Sequence, residues 1–286
     1  PKWEIIGRLI LKLRKNRKAN STYFEATLLD DRLLYEINPF GTVSSRMASK
    51  ASNLWCGTQI QNIPLYAKSM IVPDVGYILN GSDNAQSESR CTAYLSMDKN
   101  LISAVESPLD FHKTNCHGFF GIAYDDVTDE VRKVGKKINH GANYNMQARA
   151  LLLNMGRKMV MQAAVLLKLP RSLGLVDICQ KLMGFFDARY PDVRGRWYNE
   201  LILEVQQTGM LVIPGWWTRR IFGNPADSKK IMNEVASHKP QCLSVRAIND
   251  AFYDSWYQLQ ILENKARFKT QVHDDIIWQC IPENIE

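Results

Sequence analysis

No stretch of the 286-residue sequence is apolar for long enough to span a membrane, which takes about 18 uninterrupted apolar residues. The longest candidate, Met159 to Leu169, already contains Gln162 and Lys168. Pro1 to Gly7 lack an initiating methionine and the basic, apolar and small-residue zones of a signal peptide. The sequence therefore predicts a protein outside the membrane, and we expect the chain to begin partway through a longer product.

Paired cysteines are missing as well. The six cysteines have no short repeated spacing, which argues against a zinc site and against a disulfide framework; they are Cys56, Cys91, Cys116, Cys179, Cys242 and Cys280. With 45% hydrophobic and 23% charged residues, the chain is neither disordered nor fibrous. A reducing, intracellular setting is the best match.

Acidic residues are absent between Val131 and Val176, a segment that contains nine basic residues. A second basic segment, between Pro1 and Asn20, has seven basic residues and one acid, Glu4. Its apolar residues recur at helical spacing, so it predicts a basic, half-buried helix. Either segment alone could be a solvated helix face, whereas the two together favour binding of nucleic acid or another polyphosphate.

The local pattern predicts many helices and a few strands. Strands are predicted at 76–80, 210–213, 218–221, 268–271 and 276–281, and helices at 84–95, within 108–169 and 173–208, and at 227–234 and 243–265. Residues 27–38 predict a strand pair or a loop, and residues 41–64 predict a polar surface loop. Thr128 has the chemistry of an N-cap before a long basic helix.

Three aspartates occur where strands are predicted to end. Asp83 follows the strand near residue 80, and Asp274 and Asp275 join the last two strands. Carboxylates held at strand ends can bind a pair of magnesium ions about 4 Å apart, an arrangement that catalyses phosphoryl transfer. Adjacent acids also favour turns for their own sake, so a solvent-exposed turn remains the alternative for Asp274 and Asp275.

Four further residues, Arg132, Lys136, His140 and Tyr144, follow one another at four-residue spacing. Because an α-helix has about 3.6 residues per turn, the four side chains share one broad face. Two cations followed by two rings suit a triphosphate with its sugar and base. A solvated basic face remains open from the spacing alone.

These segments resemble motifs of the family A DNA polymerases, the bacterial DNA polymerase I type. Asp83 to Arg90 (DNAQSESR) resembles the first palm motif, Asp-x-x-Gln-x-Glu-x-Arg. Arg132 to Tyr144 (RKVGKKINHGANY) resembles the fingers helix, Arg-x-x-x-Lys-x-x-x-Phe-Gly-x-x-Tyr. Gln271 to Asp275 (QVHDD) resembles the second palm motif, Gln-Val-His-Asp-Glu. Gln59 to Pro64 (QIQNIP), preceded by Arg46, is similar to the elements that contact the duplex beside the primer terminus.

The resemblance runs from about Lys12 to Pro282, and the motifs occur in the family's order. Two weaker family positions are Asp110-Phe111-His112 and Pro240-Gln241. The chain departs from the family at three positions: His140 stands where Phe or Tyr is usual, Asn145 where Gly is usual, and Asp275 where Glu is usual.

The resemblance implies roles for individual residues. It implies Asp83, Asp274 and Asp275 as catalytic carboxylates, with Asp83 and Asp274 as the ligands of two Mg²⁺ ions. It implies nucleotide binding by Arg132, Lys136, His140, Tyr144, Gln86, Glu88 and His112, and DNA binding by Arg46, Gln61, Asn62, Gln241 and His273. Glu88 would disfavour a 2′ hydroxyl and so select deoxynucleotides.

The implied fold is α+β, a right-hand polymerase with an antiparallel palm sheet and helical fingers, the thumb being largely missing. Residues 1–30 would be a thumb remnant, residues 31–107 and 208–286 the two parts of the palm, and residues 108–207 the fingers.

The implied function is template-directed DNA polymerisation at a primer 3′ end by two-metal phosphoryl transfer. The partners would be primer-template DNA and deoxynucleoside triphosphates, in the cytoplasm of a bacterium or of an infected host cell. An upstream exonuclease domain or a processivity factor would be compatible, and the divergent fingers motif would suit a phage. The alternatives are a catalytically inert DNA-binding fragment and a relative of the single-subunit RNA polymerases, and Glu88 argues against the second.

Overall fold

The computed structural model describes residues 2–213, 215–261, 266–272 and 274–284. Within these ranges the chain combines α-helices, β-strands and short 3-10 and π-helical turns. The helices are α1 (Lys2–Ala19), α2 (Leu65–Lys68), α3 (Ser87–Ser96), α4 (Lys99–Glu106), α5 (Phe111–Phe120), α6 (Asp129–Asn143), α7 (Ala148–Leu166), α8 (Leu175–Arg189), α9 (Tyr198–Thr208) and α10 (Lys229–Ile261). The strands are β1 (Glu36–Asn38), β2 (Ala48–Lys50), β3 (Ile78–Asp83), β4 (Met210–Ile213), β5 (Trp217–Arg220), β6 (Ala266–Val272) and β7 (Asp275–Cys280). Every strand pairing is antiparallel, which confirms the predicted α+β class.

The first compact unit, called here the sheet unit, comprises Pro1–Asn84 and Val245–Glu286. Its main sheet has the strand order β3-β7-β6, so β7 pairs with both neighbours. A second pair joins β1 to β2, and its cross-strand partners Glu36 and Lys50 also form an ion pair at 3.3 Å. The sheet order places the end of β3 beside the start of β7.

The second compact unit, called here the helical unit, comprises Ala85–Ser244. Its helices pack around one apolar core that includes Phe111, Ile138, Leu151, Phe186 and Tyr190, all fully buried. A hairpin of β4 and β5 completes the unit. Burial of apolar side chains is the main contribution to its stability.

Helix α6 shows how the sequence determines one helix of this unit. Thr128 caps it, accepting a hydrogen bond from the Val131 N–H, as predicted. Val131, Val134 and Ile138 are buried, at the spacing that lines one helix face. The basic side chains Lys133 and Lys136 are exposed. The helix therefore presents its basic residues away from the apolar core.

Helix α7 is interrupted at Gly156, whose φ of 75° and ψ of 157° are not helical. A positive φ is favourable for glycine because it has no Cβ. The helix therefore changes direction there, within the acid-free segment.

Three predictions of local structure need correction. Helix α1 forms, but its apolar stripe is exposed rather than half-buried, with Leu9 60% and Leu13 69% exposed. An apolar stripe indicates that a helix can bury one face, but the pattern does not show whether another part of the chain covers that face. The predicted loop at 41–64 contains β2, and the two helices predicted at 227–234 and 243–265 are joined into α10, which continues through Pro240.

The predicted strands at 76–80, 268–271 and 276–281 correspond to β3, β6 and β7, and the predicted hairpin corresponds to β4 and β5. All six cysteines are free thiols in the structure. None of the helices in the described ranges is long and apolar enough to cross a membrane.

Candidate functional site

The carboxylate cluster of the sheet unit consists of Asp83, Asp274 and Asp275. Asp83 is the last residue of β3, and it lies directly opposite Asp275, the first residue of β7. Asp274 precedes Asp275 in the turn, and its carbonyl oxygen accepts a hydrogen bond from the Asn84 N–H at 3.1 Å. The antiparallel pairing therefore places Asp83 beside the segment of Asp274 and Asp275, which is about 190 positions away in the sequence.

The electrostatics of this cluster favour a bound cation. Burial raises the pKa of Asp275, and the negative charges of Asp83 and Asp274 raise it further, while Lys68 on α2 partly offsets them. The Oδ1 atom of Asp275 is buried and has no hydrogen-bond partner within the part of the chain that the structure describes. Close carboxylates with an unsatisfied oxygen are a donor set that suits Mg²⁺.

Gly81 leaves room beside this carboxylate. A Cβ atom placed on Gly81 would lie 3.3 Å from the Asp275 Oδ1. Among the described residues, no three His, Cys, Asp or Glu side chains lie close enough together to hold a metal ion by themselves. A magnesium ion at Asp83 would therefore need further ligands from substrate or water. Mg²⁺ at phosphoryl-transfer sites is commonly coordinated by one or two carboxylates together with substrate phosphates and water.

The cationic stripe of the helical unit begins on α6. Arg132, Lys136 and His140 lie on this helix, and Tyr144 follows its last residue. Lys136 and His140 line a cavity of about 290 Å³ together with Lys133, Lys137, Gly141, Met146 and Asn154. Three lysines at one small cavity are a favourable setting for an anionic ligand.

Arg132 forms an ion pair with Asp110, the residue that caps α5. The Asp110 Oδ2 accepts hydrogen bonds from the Arg132 Nε at 3.0 Å and from its Nη2 at 2.7 Å. The hydrogen bond with Asp110 raises the pKa of Arg132, so the guanidinium remains charged. The sequence alone indicated Asp110 only as a weak motif position, although an Asp before an apolar helix is a recognisable N-cap.

His112 lies in the first turn of α5 and is 4% exposed. Its Nδ1 lies 3.1 Å from the Asn139 Nδ2, and its ring centroid is 5.9 Å from that of His140. Burial lowers the pKa of His112 to about 4, and electrostatic interactions with His140 and Arg132 lower it further. His112 is therefore neutral at physiological pH and packs against the ring at the centre of the stripe.

The close approach of α5 and α6 fixes this arrangement. A Cβ atom on Gly135 would collide with the Cys116 Sγ and would lie 3.1 Å from the His112 carbonyl oxygen. Glycine is therefore needed at position 135 for the two helices to pack this tightly. The spacing of the sequence gave no indication of Gly135 or of Asn139 as site residues.

Tyr144 is half-buried, and its hydroxyl is buried without a hydrogen-bond partner within the described ranges. The next residue, Asn145, has a φ of 53°, in the left-handed region where asparagine is among the commonest residues after glycine. This conformation explains why Asn145 can stand where the resembling family usually has glycine.

Gln86 and Glu88 lie at the start of α3. Gln86 precedes the helix with a φ of 55°, and Glu88 is half-buried in its first turn. A non-glycine residue in the left-handed region carries strain of about 1 kcal/mol or more, and such residues are enriched at functional sites.

The predicted DNA-binding residues are dispersed. In the sheet unit, Gln61 is buried, and its Nε2 donates to the Gln271 carbonyl oxygen at 3.2 Å. Asn62 is exposed, with its carbonyl oxygen bound by the Tyr23 hydroxyl at 2.7 Å, and Arg46 is half-buried. Gln241 is a half-buried residue of α10 in the helical unit, and His273 lies outside the described residues.

Comparison with known proteins identifies the family. The model of DNA polymerase family A matches residues 2–286. The chain is 26% identical to DNA polymerase I of Bacillus subtilis (strain 168) over 97% of its own length and 31% of that protein. It is 33% identical to DNA polymerase I of Caldicellulosiruptor bescii over 51% of its length and 18% of that protein. The chain thus spans about a third or less of the curated relatives it matches.

A solved structure shows the same fold. The POL domain of Pol1 from M. smegmatis, in complex with DNA primer-template and dNTP, superimposes with a TM-score of 0.76 at 20% identity. The match covers 96% of this chain and 46% of that chain, which confirms the predicted polymerase fold. Because the family model covers nearly the whole sequence, the chain belongs to DNA polymerase family A.

Proposed function

We propose that the chain carries the template-directed DNA polymerase activity of its family, adding deoxynucleotides to a primer 3′ end. The observation that supports this most directly is the β3–β7 register, which pairs Asp83 with Asp275 and leaves Asp274 beside them. Strand ends in a stable sheet hold carboxylates rigidly, as metal-assisted phosphoryl transfer requires.

The carboxylate cluster is proposed to hold two Mg²⁺ ions through Asp83 and Asp274, with Asp275 next to them. The ions would activate the attacking primer hydroxyl and neutralise charge on the leaving pyrophosphate. Two properties of the carboxylates suit a bound cation. The negative charges repel one another, and the buried Asp275 Oδ1 lacks a hydrogen-bond partner within the described residues. A cation relieves both costs.

The incoming deoxynucleoside triphosphate is proposed to bind at the cationic stripe. Arg132 and Lys136 would hold its phosphates, and the rings of His140 and Tyr144 would flank its sugar and base. His112, kept neutral by burial, would add a polar ring without adding charge. Gln86 and Glu88 would contact the nucleotide from α3, with Glu88 disfavouring a 2′ hydroxyl.

Primer-template DNA is proposed to contact Arg46, Gln61, Asn62, Gln241 and His273. The bound DNA and dNTP of the related M. smegmatis domain support DNA and a nucleotide as the ligands of this fold. The formal net charge of +7 favours association with a polyanion.

A primer-extension assay with the 286-residue chain tests this proposal. We expect template-dependent extension with the four dNTPs and Mg²⁺, and none with the Asp83→Asn variant. Binding of duplex without extension would favour an inert DNA-binding fragment. Extension with ribonucleotides at comparable efficiency would favour the RNA polymerase alternative.

A further inference from the structure

The two carboxylate oxygens of Asp110 serve two different partners. Oδ1 accepts the Lys113 N–H at 2.8 Å and so caps α5. Oδ2 accepts both the Nε and the Nη2 of Arg132 on α6. One side chain thus joins the start of α5 to the first turn of α6.

The surroundings hold Asp110 in place and keep it charged. Its backbone N–H donates a hydrogen bond at 2.9 Å to the hydroxyl of Tyr124, which lies five residues before the start of α6. Burial raises the pKa of Asp110, but the hydrogen bonds from Arg132 and Lys113 outweigh it, so the pKa is lowered. The Asp110 and Arg132 side chains are only 27% and 32% exposed, which reduces screening by water. The contact is therefore a charge-assisted hydrogen bond of the stronger kind.

The geometry leaves part of the guanidinium available. Among the residues that the structure describes, Asp110 is the one hydrogen-bond partner of the Arg132 guanidinium, and it occupies the edge formed by Nε and Nη2. A guanidinium has five N–H donors in a rigid planar fork, so the Nη1 edge keeps its donors. Holding one edge fixes the direction of the other.

We infer that Asp110 is a positioning residue, which orients the Arg132 guanidinium so that its Nη1 edge meets the phosphates of the incoming nucleotide. This inference rests on the proposed function. A competing role is a counter-ion that must leave before phosphate binds, and the two roles predict opposite effects of removing the charge. Because Asp110 occupies a different edge from the one proposed for phosphate, orientation is the role that the geometry favours.

Asp110→Asn separates the cap from the contact with Arg132. Asparagine is as good an N-cap as aspartate, so its oxygen can keep the Lys113 bond and α5 stays intact. Its NH₂ group then faces the guanidinium, where two donors cannot bond. Asp129→Asn is the matched control, because Asp129 lies in the first turn of α6 and acts on Arg132 through charge alone.

The measurement is steady-state primer extension at varied dNTP concentration. Loss of a charge-assisted bond should raise the KM of Asp110→Asn about ten-fold, with kcat changed far less because binding rather than chemistry is affected. Asp129→Asn should leave KM within about two-fold. In an Arg132→Ala background, Asp110→Asn should add no further increase, since the residue acts through Arg132. An unchanged or lower KM for Asp110→Asn, or an equal further increase without Arg132, overturns the inference.

Calorimetric binding of dATP to the unmodified chain and to both Asp variants distinguishes this inference from the proposed function. If the unmodified chain does not extend primers, the proposed function fails, and the affinity for dATP still decides the role of Asp110. About ten-fold weaker binding by Asp110→Asn alone supports positioning, whereas equal affinity of the three proteins, or no binding by any, contradicts it.

Discussion

Replacing Asp83 by Asn should affect the stability of the sheet unit in opposite directions with and without magnesium. Asp83 and Asp275 lie directly opposite each other across β3 and β7, and the charge of Asp83 raises the pKa of Asp275. Like charges at directly opposed positions destabilise a sheet by about 0.5–1 kcal/mol. Without divalent cations, Asp83→Asn should therefore raise the Tm by about 1–4 °C.

Magnesium should reverse this order. A cation that binds only the folded chain stabilises it by about 1.4 kcal/mol at about 10 mM, for a Kd of about 1 mM. The unmodified protein should gain this stability, and Asp83→Asn should lose most of the gain because a ligand is missing. In about 10 mM Mg²⁺ the unmodified protein should thus have the equal or higher Tm.

Thermal unfolding in EDTA and in Mg²⁺ provides the measurement, with primer extension in parallel. Asp254→Asn is the control, because it makes the same charge change at an exposed position of α10 in the sheet unit. That control should show the Mg²⁺ response of the unmodified protein. The reasoning is refuted if Asp83→Asn melts lower than the unmodified protein in EDTA, or keeps the full response to Mg²⁺.

Three further changes test other parts of the molecule. Glu88→Ala should lower the ratio of deoxynucleotide to ribonucleotide incorporation, and an unchanged ratio would make Glu88 an ordinary helix residue. Tyr144→Phe removes a buried hydroxyl that has no partner among the described residues, so denaturant unfolding should show equal or up to about 1 kcal/mol greater stability; a clear loss would reveal an essential hydrogen bond. His238 is 1% exposed, and burial lowers its pKa to about 4. The positive charges of Arg219 and Lys239 lower this pKa further. Between about pH 6.5 and 4 the unfolded chain therefore binds one more proton than the folded chain, so stability decreases as the pH decreases across that window. His238→Gln should reduce the loss of stability between pH 7 and pH 5 by about 1–2 kcal/mol. Parallel urea titrations of both proteins at the two pH values check this, and identical losses would contradict the assignment.

Secondary structure could be predicted from the sequence where capping residues and the periodicity of apolar residues indicate the same element. Helix α6 combines a Thr128 cap, an apolar face and a basic face, and each of these has a short-range signature. Strands β3 and β7 could be predicted because each contains a short apolar run, and Asp274 and Asp275 directly precede the run of β7. Local patterns of this kind determine an element without reference to the rest of the chain.

The same reasoning failed where a partner from another part of the chain decides the outcome. The apolar stripe of α1 predicted burial, and Leu9 and Leu13 are exposed. Strand β2 has no strong pattern of its own and is stabilised by pairing with β1. The pattern predicted two helices at 227–234 and 243–265, yet α10 joins them through Pro240, which is buried. Pairing and packing, which single-segment patterns do not contain, override propensity in these cases.

The carboxylate cluster shows where the limit lies. The motifs supplied Asp83, Asp274 and Asp275, but strand register decides which acid stands opposite Asp83. Directly opposed residues of an antiparallel pair project on the same face, so Asp275 shares the face of Asp83, whereas Asp274 lies in the turn before β7. A slip of one residue in β7 would move Asp275 away from the position opposite Asp83 and turn all side chains of the strand to the opposite face. The burial of Ile276 and Cys280, which share one face of β7, opposes such a slip. The arrangement of the carboxylate cluster therefore depends on buried apolar side chains of β7 that take no part in the chemistry.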